Sequence, residues 1–237
     1  MSLENEIRYE LRCRGADFVY FADISRLSEE QNKRYPNALL IGITLSPDYI
    51  RKITDTPDYV QNMINNNQKN VDEFHVKEAN TDRLADYIAG YLLLKGYSAY
   101  SQSEDNINST GYYDEETKST PLPHKTIAVL AGLGWIGKHN LLVTAEFGSA
   151  ISMCTVLTDA PLKTVLYTPA NPLCGNCTIC RDICPARAIK GNIWSIKTSR
   201  DELVDINKCN TCLKCLAFCP WTQKYMKKNL QKKSIIK

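Results

Sequence analysis

The chain has 237 residues, 43% hydrophobic and 23% charged, with a formal net charge of +3. That length allows one sizeable domain and a small one, and so small a charge excludes an argument for nucleic acid from net charge alone. The charge is uneven: Lys224 to Lys237 carries six lysines and no acid, which fits a solvated basic tail, with a phosphate-contacting tail as the alternative. No run is apolar enough to span a membrane, "MSLENEIRYELRCRG" has no apolar core, and no twin-arginine pair occurs there. A cytoplasmic protein without a membrane partner is therefore expected. In that compartment the clustered ones among the ten cysteines read as metal ligands before disulfides.

In chain order, residues 3–14 predict a helix ending near Gly15. Residues 17–24 and 37–45 predict strands, the second buried on both faces because it does not alternate. Residues 46–70 are polar, with "NNNQKN" as a loop. Helical periodicity runs over 71–95, with Leu84, Ile88 and Leu92 on one stripe and Gly96 at the C-terminal cap. Residues 98–103 predict another strand, 104–123 a polar surface loop or lid, "KTIAVLA" a strand-like approach to a glycine loop, and 149–159 the next strand. This alternation predicts an α/β or α+β layered domain over 1–165. Past Pro161, Pro169 and Pro172 the composition shifts to cysteine, so a second domain is expected over 166–222, followed by the basic tail, 223–237.

The second domain holds a repeat. Cys174, Cys177, Cys180 and Cys184 precede Pro185, and Cys209, Cys212, Cys215 and Cys219 precede Pro220. Both runs read C-x2-C-x2-C-x3-C-P, the pattern that holds pairs of four-iron, four-sulfur clusters. Three cysteines two residues apart wrap three corners of a cube. The fourth begins a helix that points away, and proline suits its first turn, where no amide hydrogen is needed. One cluster is expected on Cys174, Cys177, Cys180 and Cys219, the other on Cys209, Cys212, Cys215 and Cys184. Structural zinc is the competing reading, but paired knuckles have no use for the third cysteine or for the fourth before proline. Cys13 and Cys154 remain and read as small apolar side chains.

The glycine loop "LAGLGWIGKHN" (130–140) contains G-x-G-x-x-G at Gly132, Gly134 and Gly137. An apolar run precedes it and Asp159 ends the next strand, as a dinucleotide fingerprint asks. The segment after the loop is a poor helix, however, and no second mononucleotide-binding half precedes it. A triphosphate loop fails on chemistry, because His139 stands where a magnesium-binding hydroxyl belongs. A tight turn with no ligand is the plain alternative.

"LPHKTIAVLAGLGWIGKHNLLVTAEFGSA", followed by the double cysteine run ending "CPW", resembles the epoxyqueuosine reductase family, whose core is shared with the reductive dehalogenases. The resemblance is strongest over 121–222. It implies a nitroreductase-like layered α+β or α/β cobalamin-binding domain followed by a bacterial ferredoxin-like module with two four-iron clusters, one of them close to the corrinoid. By that resemblance Gly132, Gly134 and Gly137 let backbone approach the macrocycle, and Trp135 and Leu142 offer it apolar surface. Lys138, Cys212 and Leu213 complete the cofactor-binding set. No histidine among His75, His124 and His139 has Asp two residues before it, so no protein imidazole on cobalt is expected.

Two departures bear on the substrate. The family's proton-donating aspartate aligns with Lys118, near Asp114, Glu115 and Glu116, and the chain runs only 18 residues past Cys219, without the helical-repeat domain of the members that act on tRNA. Proton-donor candidates here are His124, Tyr112 and Tyr113. The expected function is an oxidoreductase in which an external low-potential donor feeds electrons through two clusters to a corrinoid. The substrate is expected to be a small molecule or a partner corrinoid protein, and tRNA is not expected as a partner. The alternatives are an electron-transfer protein that handles a corrinoid without turnover, a flavin mononucleotide-dependent iron–sulfur reductase, and an RNA-binding accessory that uses the tail.

Overall fold

The computed structural model describes residues 1–164 and 167–235. In chain order the elements are α1 (Leu3–Cys13), β1 (Phe18–Asp23), α2 (Glu29–Asn32), β2 (Asn37–Thr44), α3 (Pro47–Asp55), α4 (Tyr59–Asn65), α5 (Glu73–Leu94), β3 (Ala99–Ser101), α6 (Glu104–Ser109), α7 (His124–Leu130), β4 (Trp135–Ile136), β5 (Leu142–Val143), β6 (Ile151–Thr158), α8 (Ile179–Asp182), α9 (Arg200–Leu203), α10 (Lys214–Ala217) and α11 (Pro220–Ile235). They fall into two compact units. One comprises 1–43, 77–133 and 152–168, the other 44–76, 134–151 and 169–237. The composition-based boundary at 165 runs along the chain, whereas these units interleave.

The first unit is a four-stranded sheet in the order β1-β2-β6-β3, with β1 antiparallel to β2 and β3 antiparallel to β6. Leu39 and Ile41 of β2 pack with Ile7 and Leu11 of α1, with Leu84, Ile88 and Leu92 of α5, and with Cys154 and Val156 of β6. Ala38 and Leu40 alternate with them and are equally buried, which is why β2 carries no polar residues in mid-strand. The α5 stripe ends where the periodicity places it, and Gly96 takes φ +89° after it.

The second unit differs most from the sequence reading. The polar stretch 46–70 holds two helices, α3 and α4. Ser46 caps α3, its Oγ accepting from Tyr49 N at 3.1 Å, and Pro47 occupies the first turn, a start signal available in the sequence. Tyr49, Ile50 and Ile53 pack with Leu213 and Leu216 of the second cysteine run and with Tyr225 and Met226 of α11. The hydroxyl of Tyr49 donates to Asp72, 2.9 Å away. The expected basic tail continues α11 to Ile235; Ile236 and Lys237 lie outside the described residues. Among the described residues no helix is long and apolar enough to cross a membrane.

Gly148 anchors the start of α11. It takes φ +58°, and a β-carbon there would meet Thr222 N at 2.2 Å, while the neighbouring Ser149 N donates to Thr222 Oγ at 2.9 Å. Gly15 has φ +100° with open space around it. Gly148→Ala should therefore lower the unfolding free energy by about 2–5 kcal/mol, backbone strain plus overpacking, and Gly15→Ala by only about 1–2 kcal/mol. Urea unfolding of the two variants checks the difference.

Candidate functional site

Local backbone builds each cysteine run. Cys177 N donates to Cys174 O at 3.0 Å, and the chain turns into α8, which carries Cys180. In the second run Thr211 and Leu213 take positive φ, and α10 then carries Cys215. The helix expected after each fourth cysteine forms only once. Pro220 opens α11, and Cys219 sulfur receives the backbone N–H groups of Trp221 and Thr222. After Cys184 the chain makes a turn instead, with Arg187 N donating to Cys184 O at 3.1 Å and Ala188 N to Cys184 Sγ at 3.3 Å.

The thiols group across the two runs. Cys174, Cys177, Cys180 and Cys219 line one cavity of about 170 Å³ together with Lys138, His139, Leu173, Pro220 and Trp221, roughly ten times the space one water needs. Burial first, then the neighbouring Cys174, Cys219 and Cys177, pushes the Cys180 thiol up to about 11. Burial likewise raises Cys219. Burial raises Cys212, beside Cys184 and Cys209, and raises Cys215 further, beside Cys212, Cys209, Cys180 and Cys184. Cys180, Cys184 and Cys215 share one packed cluster with Ile189 and Val204, so the two groups of thiols abut. Among the described residues no group of three or more His, Cys, Asp or Glu is set to hold a metal ion; the first four thiols surround a space.

The glycine loop is explained within the chain. The apolar run before it is helix α7, a correction to the strand expected there. Gly132 is its cap: φ is +73°, Gly132 N donates to Val129 O and Leu133 N to Ala128 O, both at 3.0 Å, the hydrogen-bond pair of a Schellman ending. After the loop comes the hairpin β4–β5, so the order is helix, glycines, hairpin, the reverse of a dinucleotide fingerprint. A β-carbon on Gly134 would meet Val143 O at 2.1 Å, and one on Gly137 would meet the His139 ring at 2.7 Å. The glycines permit close packing of the chain on itself. Leu142 is buried in the hairpin and Leu213 in the apolar cluster of α3 and α11.

Two loop residues do reach the cysteines. Lys138 is only 7% exposed, and its ammonium donates to Cys177 O at 3.0 Å. Trp135 is 4% exposed and packs with Cys219, Cys174, Val143 and Trp221. His139 is spent in the hairpin. Its Nδ1 accepts from Leu141 N at 3.1 Å, so Nε2 carries the hydrogen and faces Ser149 Oγ at 3.4 Å.

The proton-donor candidates lie in the first unit, and two of them, His124 and Tyr112, are hydrogen-bonded within it. Burial pushes His124 down to about 4, so its imidazole is neutral near pH 7. Thr155 Oγ donates to Gln102 and therefore accepts from His124 Nδ1 at 2.7 Å. His124 thus offers a lone pair at Nε2 where the sequence reading asked for a proton. Tyr112 is buried, its hydroxyl donates to Gln31 O, and burial raises its pKa. Tyr113, next to it, is half-buried. The supposed lid 104–123 holds α6 and is pinned by Tyr112 and by Leu122, whose carbonyl accepts from Gln102 Nε2 at 2.9 Å. Cys13 is exposed, against the expectation of a small buried side chain, and Cys154 is buried.

Because folding lowers the His124 pKa, the unfolded chain binds more protons between pH about 6.5 and about 4. Stability therefore falls as pH drops through that window, by about 1.4 kcal/mol per pH unit at most. Urea unfolding of wild type against His124→Gln across this range should show the wild type losing stability the faster.

No family model matches the chain. Among curated relatives, the epoxyqueuosine reductase of Aliivibrio fischeri is 30% identical over 161 residues, 58% of this chain and 43% of that protein. The chain spans between 33% and 43% of the length of the first such relatives. In fold it is similar to an epoxyqueuosine reductase solved with a tRNA-Tyr epoxyqueuosine-modified stem loop (TM-score 0.57, 15% identity, 93% of this chain and 65% of that one). It is also similar to a reductive dehalogenase whose structure suggests a mechanism for B12-dependent dehalogenation (TM-score 0.58, 19% identity, 91% and 31%). These findings overturn the expectation set against tRNA, since the relatives are epoxyqueuosine reductases and one neighbour carries a tRNA stem loop. The resemblance to the epoxyqueuosine reductases holds in sequence over about half of the chain and in fold over nearly all of it.

Proposed function

We propose that the chain is an iron–sulfur, cobalamin-dependent reductase of the epoxyqueuosine reductase kind, with two four-iron clusters held by Cys174, Cys177, Cys180 and Cys219 and by Cys209, Cys212, Cys215 and Cys184. Its first unit would provide a nitroreductase-like corrinoid domain, and the cysteine runs a ferredoxin-like module. The observation that carries the reading is the cavity ringed by four thiols drawn from two distant runs, with the buried Lys138 ammonium beside it. A buried ammonium with a carbonyl partner costs several kcal/mol unless negative charge lies near, and a cluster on four thiolates supplies that charge. The same charge logic runs the other way for the thiols: raised by burial, they ionise together when iron sits among them. Cys219 is ready to do so, because two backbone N–H groups already point at its sulfur.

When bound, the clusters supply single electrons and the corrinoid supplies a reducible cobalt. The protein's own contribution at the first thiol set is burial, backbone hydrogen bonds to sulfur and one nearby cation. The corrinoid rests on the resemblance, not on the glycine loop, whose glycines pack inward. The relatives direct the search for a substrate to epoxyqueuosine in tRNA, delivered electrons by an external low-potential donor.

Three residues favour a second reading, transfer of electrons to a corrinoid without substrate turnover. Lys118 stands in the register of the family's proton-donating aspartate, the His124 imidazole is neutral, and the Tyr112 hydroxyl is engaged.

Protein purified without oxygen should be brown and hold about eight irons per chain. Reconstituted with cobalamin and a low-potential reductant, it should convert epoxyqueuosine-modified tRNA to the queuosine form. Cobalamin reduction without product would favour the second reading, and a colourless zinc protein would refute both. Cys184→Ser should disturb the cluster on Cys209, Cys212 and Cys215 and spare its own run; loss of the other cluster's paramagnetic signal would reverse the ligand assignment.

A further inference from the structure

Trp135 Nε1 is a buried donor with no hydrogen-bond partner. The indole is 4% exposed, so water does not reach it as bulk solvent, and leaving such a donor unmade costs about 1–3 kcal/mol. Its surroundings are specific. Trp135 shares a packed cluster with Val143, Cys219 and Cys174, two of the four thiols on the cavity, and its ring meets that of Trp221 edge-on at 5.0 Å. The residue is also held in place: β4 pairs it with Val143, and Gly134 before it lies against the Val143 carbonyl. Trp135 packs behind the cavity's lining, against Cys174 and Cys219, so an acceptor for this donor has to come from the thiol side of the packing. Sulfur is the acceptor that the cavity offers.

We infer that Trp135 donates its indole N–H to a sulfur of the cluster held by Cys174, Cys177, Cys180 and Cys219, and that this bond raises the cluster's reduction potential. The inference rests on the cluster reading above. A hydrogen bond to sulfur strengthens as negative charge accumulates there, so it favours the reduced form over the oxidised one. The buried Lys138 ammonium on the same cavity acts in the same direction. Trp135 is thus a positioning and tuning residue that contacts the cofactor and exchanges no proton or electron itself.

Trp135→Phe removes the donor and keeps an aromatic ring in the packing. In anaerobic protein titrated with dithionite and followed by electron paramagnetic resonance, this variant should shift the reduction equilibrium of that cluster about tenfold toward the oxidised form, about 59 mV lower for a one-electron couple. The cluster on Cys209, Cys212, Cys215 and Cys184 should keep its potential. An unchanged or raised potential at full iron content overturns the inference. Wild-type protein carrying isotope-labelled indole nitrogen gives a second readout, independent of whether the variant assembles. Electron spin echo of the reduced cluster should show a nitrogen coupling that survives Trp221→Phe, and its absence in the wild type overturns the inference as well. Iron content separates the two levels: a wild type without iron refutes the cluster reading, whereas a wild type with clusters but without the coupling refutes only the role of Trp135.

Discussion

Four thiols facing one cavity cannot all ionise unless positive charge sits among them, and much of the second unit is arranged around that condition. Cys219 reaches the first run because α11 begins at Pro220 and its first turn is clamped against Gly148 and Ser149. That helix start delivers two backbone N–H groups to Cys219 sulfur. The hairpin then packs Trp135 behind Cys174 and Cys219 and inserts Lys138, whose ammonium donates to the carbonyl of Cys177. Each of these groups makes little sense around an empty apolar void. Each is favourable beside an anionic cluster, because low dielectric strengthens both the charge attraction and the hydrogen bonds.

The second group of thiols is built differently. Cys184 is followed by a turn and takes one backbone N–H from Ala188, while Cys212 receives that of Lys214. The hairpin residues Trp135 and Lys138 pack with the first group. Two groups of thiols with one sequence spacing thus have unlike environments. Cys180 and Cys215, one from each group, lie in a common apolar cluster, so the groups are close enough in the packing to share burial while differing in charge and hydrogen bonding.

The first unit keeps its polar chemistry inward. His124, Thr155, Gln102 and the Leu122 carbonyl form one hydrogen-bonded chain across elements that are distant in sequence. Such a chain stabilises a single arrangement because each buried polar group would be costly unpaired. It also explains why 104–123, polar enough to read as a lid, is held down at Tyr112 and Leu122.

Sequence by itself determined the parts whose geometry is local. The α5 stripe of Leu84, Ile88 and Leu92, the non-alternating β2 and the two cysteine runs each depend on a period or a spacing of a few residues, and the chain's own dihedral limits translate these into structure. Ser46-Pro47 carried a helix start of the same local kind, overlooked because the stretch around it is polar. Only the tertiary structure decided which surface each loop residue meets. Gly134 and Gly137 spell a ligand motif, yet Val143 and His139 occupy the space beside them. The run before Gly132 is apolar enough for a strand, yet it closes as a helix with Gly132 as its cap. Segments 44–76 and 134–151 join the cysteine unit although composition groups them with the sheet. A spacing in sequence sets where a side chain leaves the backbone, but what covers it comes from segments far along the chain, and no local pattern records them.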